Sequence, residues 1–580
     1  MTRASLPVVE KLHIVAQIAR AGLAWLRHDT HYPSPIPENP KFQSAYDAVG
    51  MIRDRDVLAV SGLGGQQRAS ILYWAIRERF EQRGNPAGLT VMNVGGHGSR
   101  GLAPGTLDEL GRAGLCTRFV TSHFETFHAM LALAEAGQCE LQCLPLGVMT
   151  RLFAALGGGR DALTTSVGVG TFLDPSVGRG TPVTATRRQL VERRGARLRY
   201  HIPRIDVAVL NAPAADRFGN IYFAGAAVLC ESLEIAHAAK RNGGKVIVNI
   251  GTIVERRAPR SRGVFLPARA VDAIVYHPDT EQAPGVFHRQ PWPCFLPRAK
   301  EKVEDGLARL RFINGLAPLL RRRSPADEVL VRLAAATLVA ATKPRAHVSI
   351  GTGLPEEVPA AIFDAGLLAR FLFLVESGVI GGLPATGLYF GAALRPREIV
   401  SSAQLFERCA RRLDAACLGA LEIGANGDVN VSRRGDGLHG YVGPGGFMDF
   451  ATSARVIVFV SSWMHGGEIV VDGSQLHIAR LGTPKVVPTV AEITFDASRT
   501  LESGRRILYA THAGVFELGA AGLELRACMP GVEPQRDIVD FTAGRVAAAA
   551  GRRVRRVPRA IVTGGAGYLR SLISAVGLSS

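Results

Sequence analysis

No apolar run in this chain of 580 residues reaches the ~18–20 that a membrane-spanning helix needs. The candidates, Phe371–Val375 and Val456–Val460, are only of strand length. The opening MTRASLPVVEKLH has no basic segment followed by an apolar core. A secretory signal is therefore not expected, and a cytoplasmic location is. The eight cysteines are scattered, and the one close pair, Cys139 and Cys143, lacks a second pair at zinc-ligand spacing. They read as buried thiols in a reducing compartment, with no metal site. Aromatic residues are scarce at 7%, and none of the basic clusters is interleaved with them as a base-stacking platform would be. Acids are also in deficit, with 68 Lys and Arg against 50 Asp and Glu, which leaves a net charge of +18. Such a surplus favours an anionic partner: nucleic acid, a membrane surface or a small molecule bearing phosphates. With 47% hydrophobic and 20% charged residues, the chain has the balance of a folded globular protein.

Short β-branched runs alternate with helical stretches. Val57–Val60 predicts a strand, and Gln67–Arg83 an amphipathic helix stopped by Gly84 and Pro86. Leu89–Val94, Arg118–Thr121, Val207–Leu210, Lys245–Ile250 and Ala273–Tyr276 are further apolar runs bounded by turn residues. Strands alternating with helices imply βαβ units and a mostly parallel sheet. The chain also echoes itself. Arg55–Gly64 resembles Arg345–Leu354, each a strand delivering a Gly-rich turn, and Ala215–Ile221 resembles Gly424–Asn430, each an Asn/Asp/Gly turn. The fold class expected is α/β, with two related open-sheet domains in one chain. The boundaries expected are an N-terminal extension over 1–40, a first domain over 41–300, a linker over 301–325, a second domain over 326–545 and a basic tail over 546–580.

Three segments suggest chemistry that their spacing does not support. Gly96-His-Gly-Ser-Arg-Gly101 matches a dinucleotide fingerprint in its glycines. Pro104 and Gly105 interrupt the helix that must follow, and no acid stands at the tip of the next strand. His123-Phe-Glu-Thr-Phe-His128 places its histidines five apart, so on a helix they diverge by about 140° and cannot share a zinc ion. The basic clusters, Arg256-Arg257 with Arg260 and Arg262, Arg321–Arg323, Arg433-Arg434, and Arg552-Arg553 with Arg555-Arg556, read as solvated loops and a basic tail.

The fourth segment is more informative. In Phe371-Leu-Phe-Leu-Val-Glu376-Ser-Gly-Val-Ile-Gly-Gly-Leu-Pro384, five apolar residues predict a buried strand with Glu376 at its carboxyl end. Ligands of open α/β sheets bind just beyond that end. Gly378, Gly381 and Gly382 allow close approach of backbone or ligand.

This segment resembles the catalytic segment of class I coenzyme A transferases of the fused acetate/propionate type. Ser166-Val-Gly-Val-Gly-Thr-Phe-Leu-Asp-Pro175, Ala215-Asp-Arg-Phe-Gly-Asn220 and Ala238–Val248 are similar to signatures of that family's first domain. Gly351-Thr-Gly-Leu-Pro-Glu356, Asp428-Val-Asn-Val-Ser432 and Gly443-Pro-Gly-Gly-Phe447 are similar to signatures of its second. The resemblance covers roughly residues 45–545. Departures fall where acyl substrates would be expected. Gly62-Leu-Gly-Gly-Gln-Gln67 stands for a usual Gly-x-Gly-x-Pro-Glu, Cys409–Asp414 replaces a Gly-rich segment ending in Asp, and Ser122–Phe127 differs from a Gly-rich version.

The resemblance implies transfer of coenzyme A from an acyl-CoA to a carboxylic acid, with Glu376 as nucleophile, ionised at neutral pH. It implies that Gly446 supplies an oxyanion donor. It further implies that Gly445, Gly378, Gly381, Gly382, Gly351, Gly353, Gly168, Gly170, Thr171 and Asn430 line the substrate and CoA site. No permanent cofactor, no nucleic acid and no membrane are expected, and a homodimer or homotetramer is. Hydrolysis of acyl-CoA on the same fold, or binding without catalysis through a basic surface, are the alternatives.

Overall fold

The computed structural model describes residues 6–98, 104–186, 188–254, 265–316, 323–548, 554–565 and 568–569. Arg256, Arg257, Arg260, Arg262, Arg321, Arg322, Arg552 and Arg553 lie outside the described residues, as does the end of the Gly96–Gly101 turn. No helix among the described residues is long and apolar enough to cross a membrane.

The first half begins with helix α1 (Val8–Leu26), then β1 (Val57–Val60), α2 (Ser70–Arg83), β2 (Leu89–Met92), β3 (Cys116–Thr121) and β4 (Glu140–Cys143). After these come α3 (Leu146–Gly157), β5 (Val207–Asp216), α4 (Ser232–Arg241), β6 (Lys245–Val254) and β7 (Ala273–Tyr276). Seven strands form a parallel sheet in the order β7-β6-β5-β1-β2-β3-β4. Helices cover both faces, so the inner strands must be apolar on both sides; all ten residues of β5 are buried.

The sequence expectation for α2 needs correction twice. The helix starts at Ser70 because Gln67 sits at φ 58°, outside the helical region. Nor is it amphipathic across its width. Ile71 to Ile76 are buried consecutively while its last turns are wet, because its first turns are enclosed on every side. The His28 ring stacks on Trp74 at 3.9 Å, and Glu109 accepts from the Trp74 indole at 3.2 Å.

The second half opens with α5 (Val303–Leu316) and α6 (Pro325–Ala341). A capping box starts α6: Asp327 N–H donates to Ser324 Oγ and Ser324 N–H to Asp327 Oδ2, each at 3.1 Å. Then follow β8 (Ala346–Ile350), β9 (Phe371–Val375), α7 (Ser402–Arg411), β10 (Leu413–Gly419), α8 (Phe447–Ser453), β11 (Ala454–Val460), β12 (Arg506–Thr511), β13 (Gly514–Gly519) and β14 (Gly522–Cys528). The parallel core runs β9-β8-β10-β11-β12, with antiparallel additions at both ends. Val546–Ala548 and Arg555–Arg556 pair with β14 at the far edge.

The two halves repeat one plan. A central strand, β1 or β8, leads to its next neighbour on one side, and a later strand, β5 or β10, returns on the other. Each half therefore has a topological switch point, where ligands of open sheets bind. The echo extends to backbone angles. Arg55 and Arg345, just before β1 and β8, have φ 66° and 64°, and Gly219 and Gly427, in the paired turns, have φ 89° and 88°. All eight cysteines are buried and unpaired, as their apolar surroundings in the sequence led us to expect.

Candidate active site

Glu376 stands where β9 ends, and the chain turns back at once. Leu374 pairs with Ile380 and Val375 with Val379, so Glu376-Ser377-Gly378 form the tip of a hairpin. Gly378 N–H donates to Val375 O and Val400 N–H to Gly378 O, each at 2.9 Å. Gly378 has φ 100°, and a Cβ there would run into the Val400 carbonyl. Gly381 N–H donates to Phe373 O at 2.8 Å, and a Cβ on Gly382 would meet the Leu394 carbonyl. All three glycines are thus employed in folding the hairpin that presents Glu376. By register, Gly351 lies level with Glu376, each two residues past the Ser349–Leu374 pair. Gly353 is beyond it, its carbonyl taking Arg323 Nη2 at 2.7 Å.

Opposite Glu376 is the turn Gly443–Gly446. Gly445, at φ 55°, donates its N–H to Ser122 O at 2.9 Å and accepts from Leu146 N–H at 3.0 Å. Both partners belong to the first half. Gly446 precedes α8, and its backbone lies against the Glu376 carboxyl, where its amide acts to lower the carboxyl's pKa. A Cβ on Gly446 would lie 2.5 Å from Glu376 Oε2, so the backbone approaches the carboxyl as closely as only glycine allows.

The other expected residues lie farther along the seam between the halves or inside turns. Thr171 Oγ donates to Gly168 O at 2.7 Å, Gly170 N–H to Asp174 Oδ2 at 3.1 Å, and Phe172 N–H to Ile493 O at 2.9 Å. This turn therefore packs on the second half. Asn430 is fully committed to its own loop: its amide nitrogen donates to Glu422 and to Arg433 O, and its oxygen accepts from Ser432 and Arg433 N–H.

Burial is the main cause that pushes the Glu376 carboxyl up to about 7; the nearby Asp449 charge adds to it, and the Gly446 amide opposes. The ionised and neutral forms are therefore both present near neutral pH. Asp449, on α8, is itself raised by burial to about 6 and is relieved by Arg151.

The first half also closes over the hairpin through a segment that no motif announced. Cys230 N–H donates to Ser377 O at 3.0 Å, and Cys230 O accepts from Ser402 N–H at 2.8 Å. Its backbone is at φ 49°, held there by these two bonds. Its thiol is raised well above its ordinary value by burial, then by Glu231, Glu376 and Glu234. Glu231 Oε1 accepts Gly62 N–H at 3.0 Å, while Gln67 takes hydroxyls from Ser61 and Ser232. Of the residues that the sequence reading missed, only Asp449 had a signal, lying three places after Gly446. Arg151, Cys230 and Glu231 reach the site through tertiary structure alone.

Burial pushes Glu231 up to about 8 from an ordinary 4.5, with Glu234 adding to it and the Gly62 amide opposing. An acid whose folded value is raised is neutral in both states below 4.5, and its charging costs stability progressively as pH climbs from there to about 8. Glu231→Gln keeps the acceptor for Gly62 and removes the charge. Its melting midpoint should exceed that of the parent by a margin that grows between pH 5 and pH 8, equivalent to on the order of a few kcal/mol. A margin independent of pH across calorimetric scans would show that no such charge is buried.

The family model for coenzyme A transferase matches residues 42–277. The caffeate CoA-transferase of Acetobacterium woodii is 29% identical over 517 residues, covering 86% of this chain and 93% of its own. The acetate CoA-transferase YdiF of Escherichia coli K12 is 27% identical over 508 residues, covering 86% and 91%. A crystal structure of the acyl-CoA transferase YdiF from E. coli O157:H7, in a thioester complex with CoA, matches with a TM-score of 0.78 at 23% identity. It covers 91% of this chain and 96% of that one, which establishes a common fold.

Proposed function

The chain belongs to the class I coenzyme A transferase family, and from that premise we propose that it exchanges CoA between an acyl-CoA and a carboxylic acid in two half-reactions through a thioester on Glu376. The observation that carries this reading is the meeting of the Glu376 carboxyl with the Gly446 amide. On this reading, 41–300 and 326–545 are the functional halves and 301–325 joins them. Residues 1–40 and 546–580 are terminal additions, and the chain works as a homodimer or homotetramer.

The ionised Glu376 attacks the thioester carbonyl, and the CoA thiolate leaves to give an acyl–glutamyl anhydride. The thiolate then attacks the glutamyl carbonyl, expels the first acid as its carboxylate and leaves CoA esterified to Glu376. An acceptor carboxylate attacks that thioester, thiolate leaves again, and its attack on the new acyl carbonyl returns Glu376 as a carboxylate. No proton is consumed in any step, and the free energy of the thioester is conserved. This is nucleophilic catalysis by a carboxylate.

Whenever the glutamyl carbonyl is attacked, its oxygen becomes an oxyanion on the side where the Gly446 backbone closes on the carboxyl, and the Gly446 amide serves as its donor. Burial has a second consequence. The desolvated carboxylate is a better nucleophile than a hydrated one, and although its raised pKa makes it a poorer leaving group, it still leaves the anhydride more readily than a thiolate would in the return step. Gly351, at the same level, and the Gly168–Thr171 turn border the approach to Glu376 on this reading. The charge of +18 would help gather a ligand with several phosphate charges.

The test is direct. Intact protein mixed with an acyl-CoA donor and no acceptor should gain the mass of CoA less water, and proteolysis should place it on Glu376. A protein that exchanges CoA without ever carrying that mass would refute the glutamyl thioester. Release of free CoA and acid without an acceptor would instead assign the hydrolase alternative.

A further inference from the structure

The turn that carries Gly446 is bonded to its own half through Gly443 N–H, which donates to Ser432 O at 3.0 Å, but much of its support comes from the other half. Besides the two bonds from Ser122 and Leu146, it is fixed through Asp449, three residues into the segment that Gly446 opens. Asp449 Oδ2 accepts Gly147 N–H at 2.9 Å, and Oδ1 accepts Arg151 Nη2 at 3.1 Å. Arg151 Nε donates to Gly147 O at 2.9 Å, so one guanidinium ties the start of α3 to α8. The Asp449 side chain is 2% exposed and that of Arg151 15%. A Cβ on Gly147 would lie 2.5 Å from Asp449 Oδ1, so this close approach also requires a glycine. The ring of Phe450, next to Asp449, stacks on Phe406 at 5.1 Å and closes the far side of the turn.

A buried ion pair is weak evidence for stability, since desolvation offsets most of its attraction. Its geometry points to another use, because it fixes the distance between an amide in one segment and a carboxyl in another. The charges also form a line, Arg151 against Asp449 and Asp449 against Glu376. The titratable groups that face Glu376 are Asp449 from α8 and the Cys230 thiol from the first half, and that thiol also feels the charges of Glu231 and Glu234. Asp449 in turn faces Arg151, Tyr200 and Cys409. Of these partners of Asp449, Arg151 is the one cation.

We propose that Arg151 and Asp449 are a positioning pair acting across the two halves: they hold the Gly446 amide on Glu376 and set the charge that the carboxylate meets while it is the nucleophile. This rests on Glu376 being the nucleophile.

The experiment measures single-turnover formation of the CoA adduct by mass, from pH 5 to pH 9, in the parent, Asp449→Asn, Arg151→Met, Arg151→Lys and the Asp449→Asn/Arg151→Met double variant. Asp449→Asn removes a like charge beside Glu376. The acid limb of its rate profile should therefore move to lower pH, by about one unit. The plateau should fall about 10–100-fold as the amide loses its support. Arg151→Met should fall by a similar factor, and Arg151→Lys should recover most of it.

Because Arg151 acts through Asp449, the double variant should be no slower than the worse single variant. An unmoved limb in Asp449→Asn, or losses that multiply in the double variant, would overturn the proposal and leave the pair a structural contact. If Arg151→Met fails to fold by circular dichroism, Asp449→Asn and the double variant, in which no buried charge is left unpaired, decide it. Absence of the CoA adduct in the parent itself would refute the reading of Glu376 instead, so the two failures are distinct.

Discussion

Glu376→Gln is expected to lose CoA exchange by a factor of at least ~10⁴ and to gain no CoA mass from any acyl-CoA donor. The amide has nearly the shape of the carboxyl and can still accept from Gly446, so the site should stay assembled while its nucleophile is gone. Stability provides the control. In the parent, the carboxyl is raised from an ordinary 4.5 to about 7, so the stability present at low pH is lost as pH rises through that window. Glutamine carries no such cost, and the variant should melt at least as high as the parent at pH 8. An inactive protein that is also less stable there would point to collapse of the hairpin rather than to loss of chemistry. The same titration predicts that the parent's adduct formation falls off below about pH 7, because only the ionised form attacks.

The strand before Glu376 was legible because five apolar residues ending in an acid leave few arrangements open in an α/β protein. Its observed limits, Phe371 and Val375, coincide with that run. The two-sheet repeat could be read from the strand-and-turn echo around Gly62 and Gly353. Helix α2 was misread for a reason of the same kind. Periodicity assumes one wet face, and a helix enclosed on all sides for its first two turns does not show it.

Among the site residues, the glycines carried a different lesson. A glycine at positive φ reports that the backbone must pass through a narrow place, but not whether a ligand or another strand makes it narrow. At Gly378 and Gly382 the neighbours are the carbonyls of Val400 and Leu394, inside the fold itself. Asn430 likewise spends its whole amide on its own loop. Arg151 was invisible because nothing local distinguishes it. It lies 225 residues before Glu376 in the chain, the difference of the two residue numbers. Only the docking of α3 on α8 gives it a partner.

Gly446→Ala should separate activity from stability more sharply than any other substitution at the site. Gly446 has φ −83°, a conformation open to every residue, so no backbone strain follows from adding a methyl group. The new Cβ meets three neighbours: Glu376 Oε2 at 2.5 Å, Phe450 Cε2 at 3.1 Å and Phe406 Cζ at 3.3 Å. The nearest is the end of a flexible side chain and can swing aside at little cost. The two rings need give only a few tenths of an ångström. Destabilisation of about 1–2 kcal/mol is therefore expected, within the ordinary range for a small overpacking. The atom that must move is the nucleophile, and it must move away from the amide that stabilises the oxyanion. A displacement near 1 Å at the reacting atom costs on the order of 100-fold, and loss of an oxyanion donor costs 100–1,000-fold. CoA exchange should accordingly fall at least ~100-fold in a protein that melts within a few degrees of the parent. An alanine variant that keeps full activity would mean that the Gly446 amide does not serve the reacting carbonyl. One that unfolds would mean that Phe406 and Phe450, rather than Glu376, set the limit on side-chain size at this position.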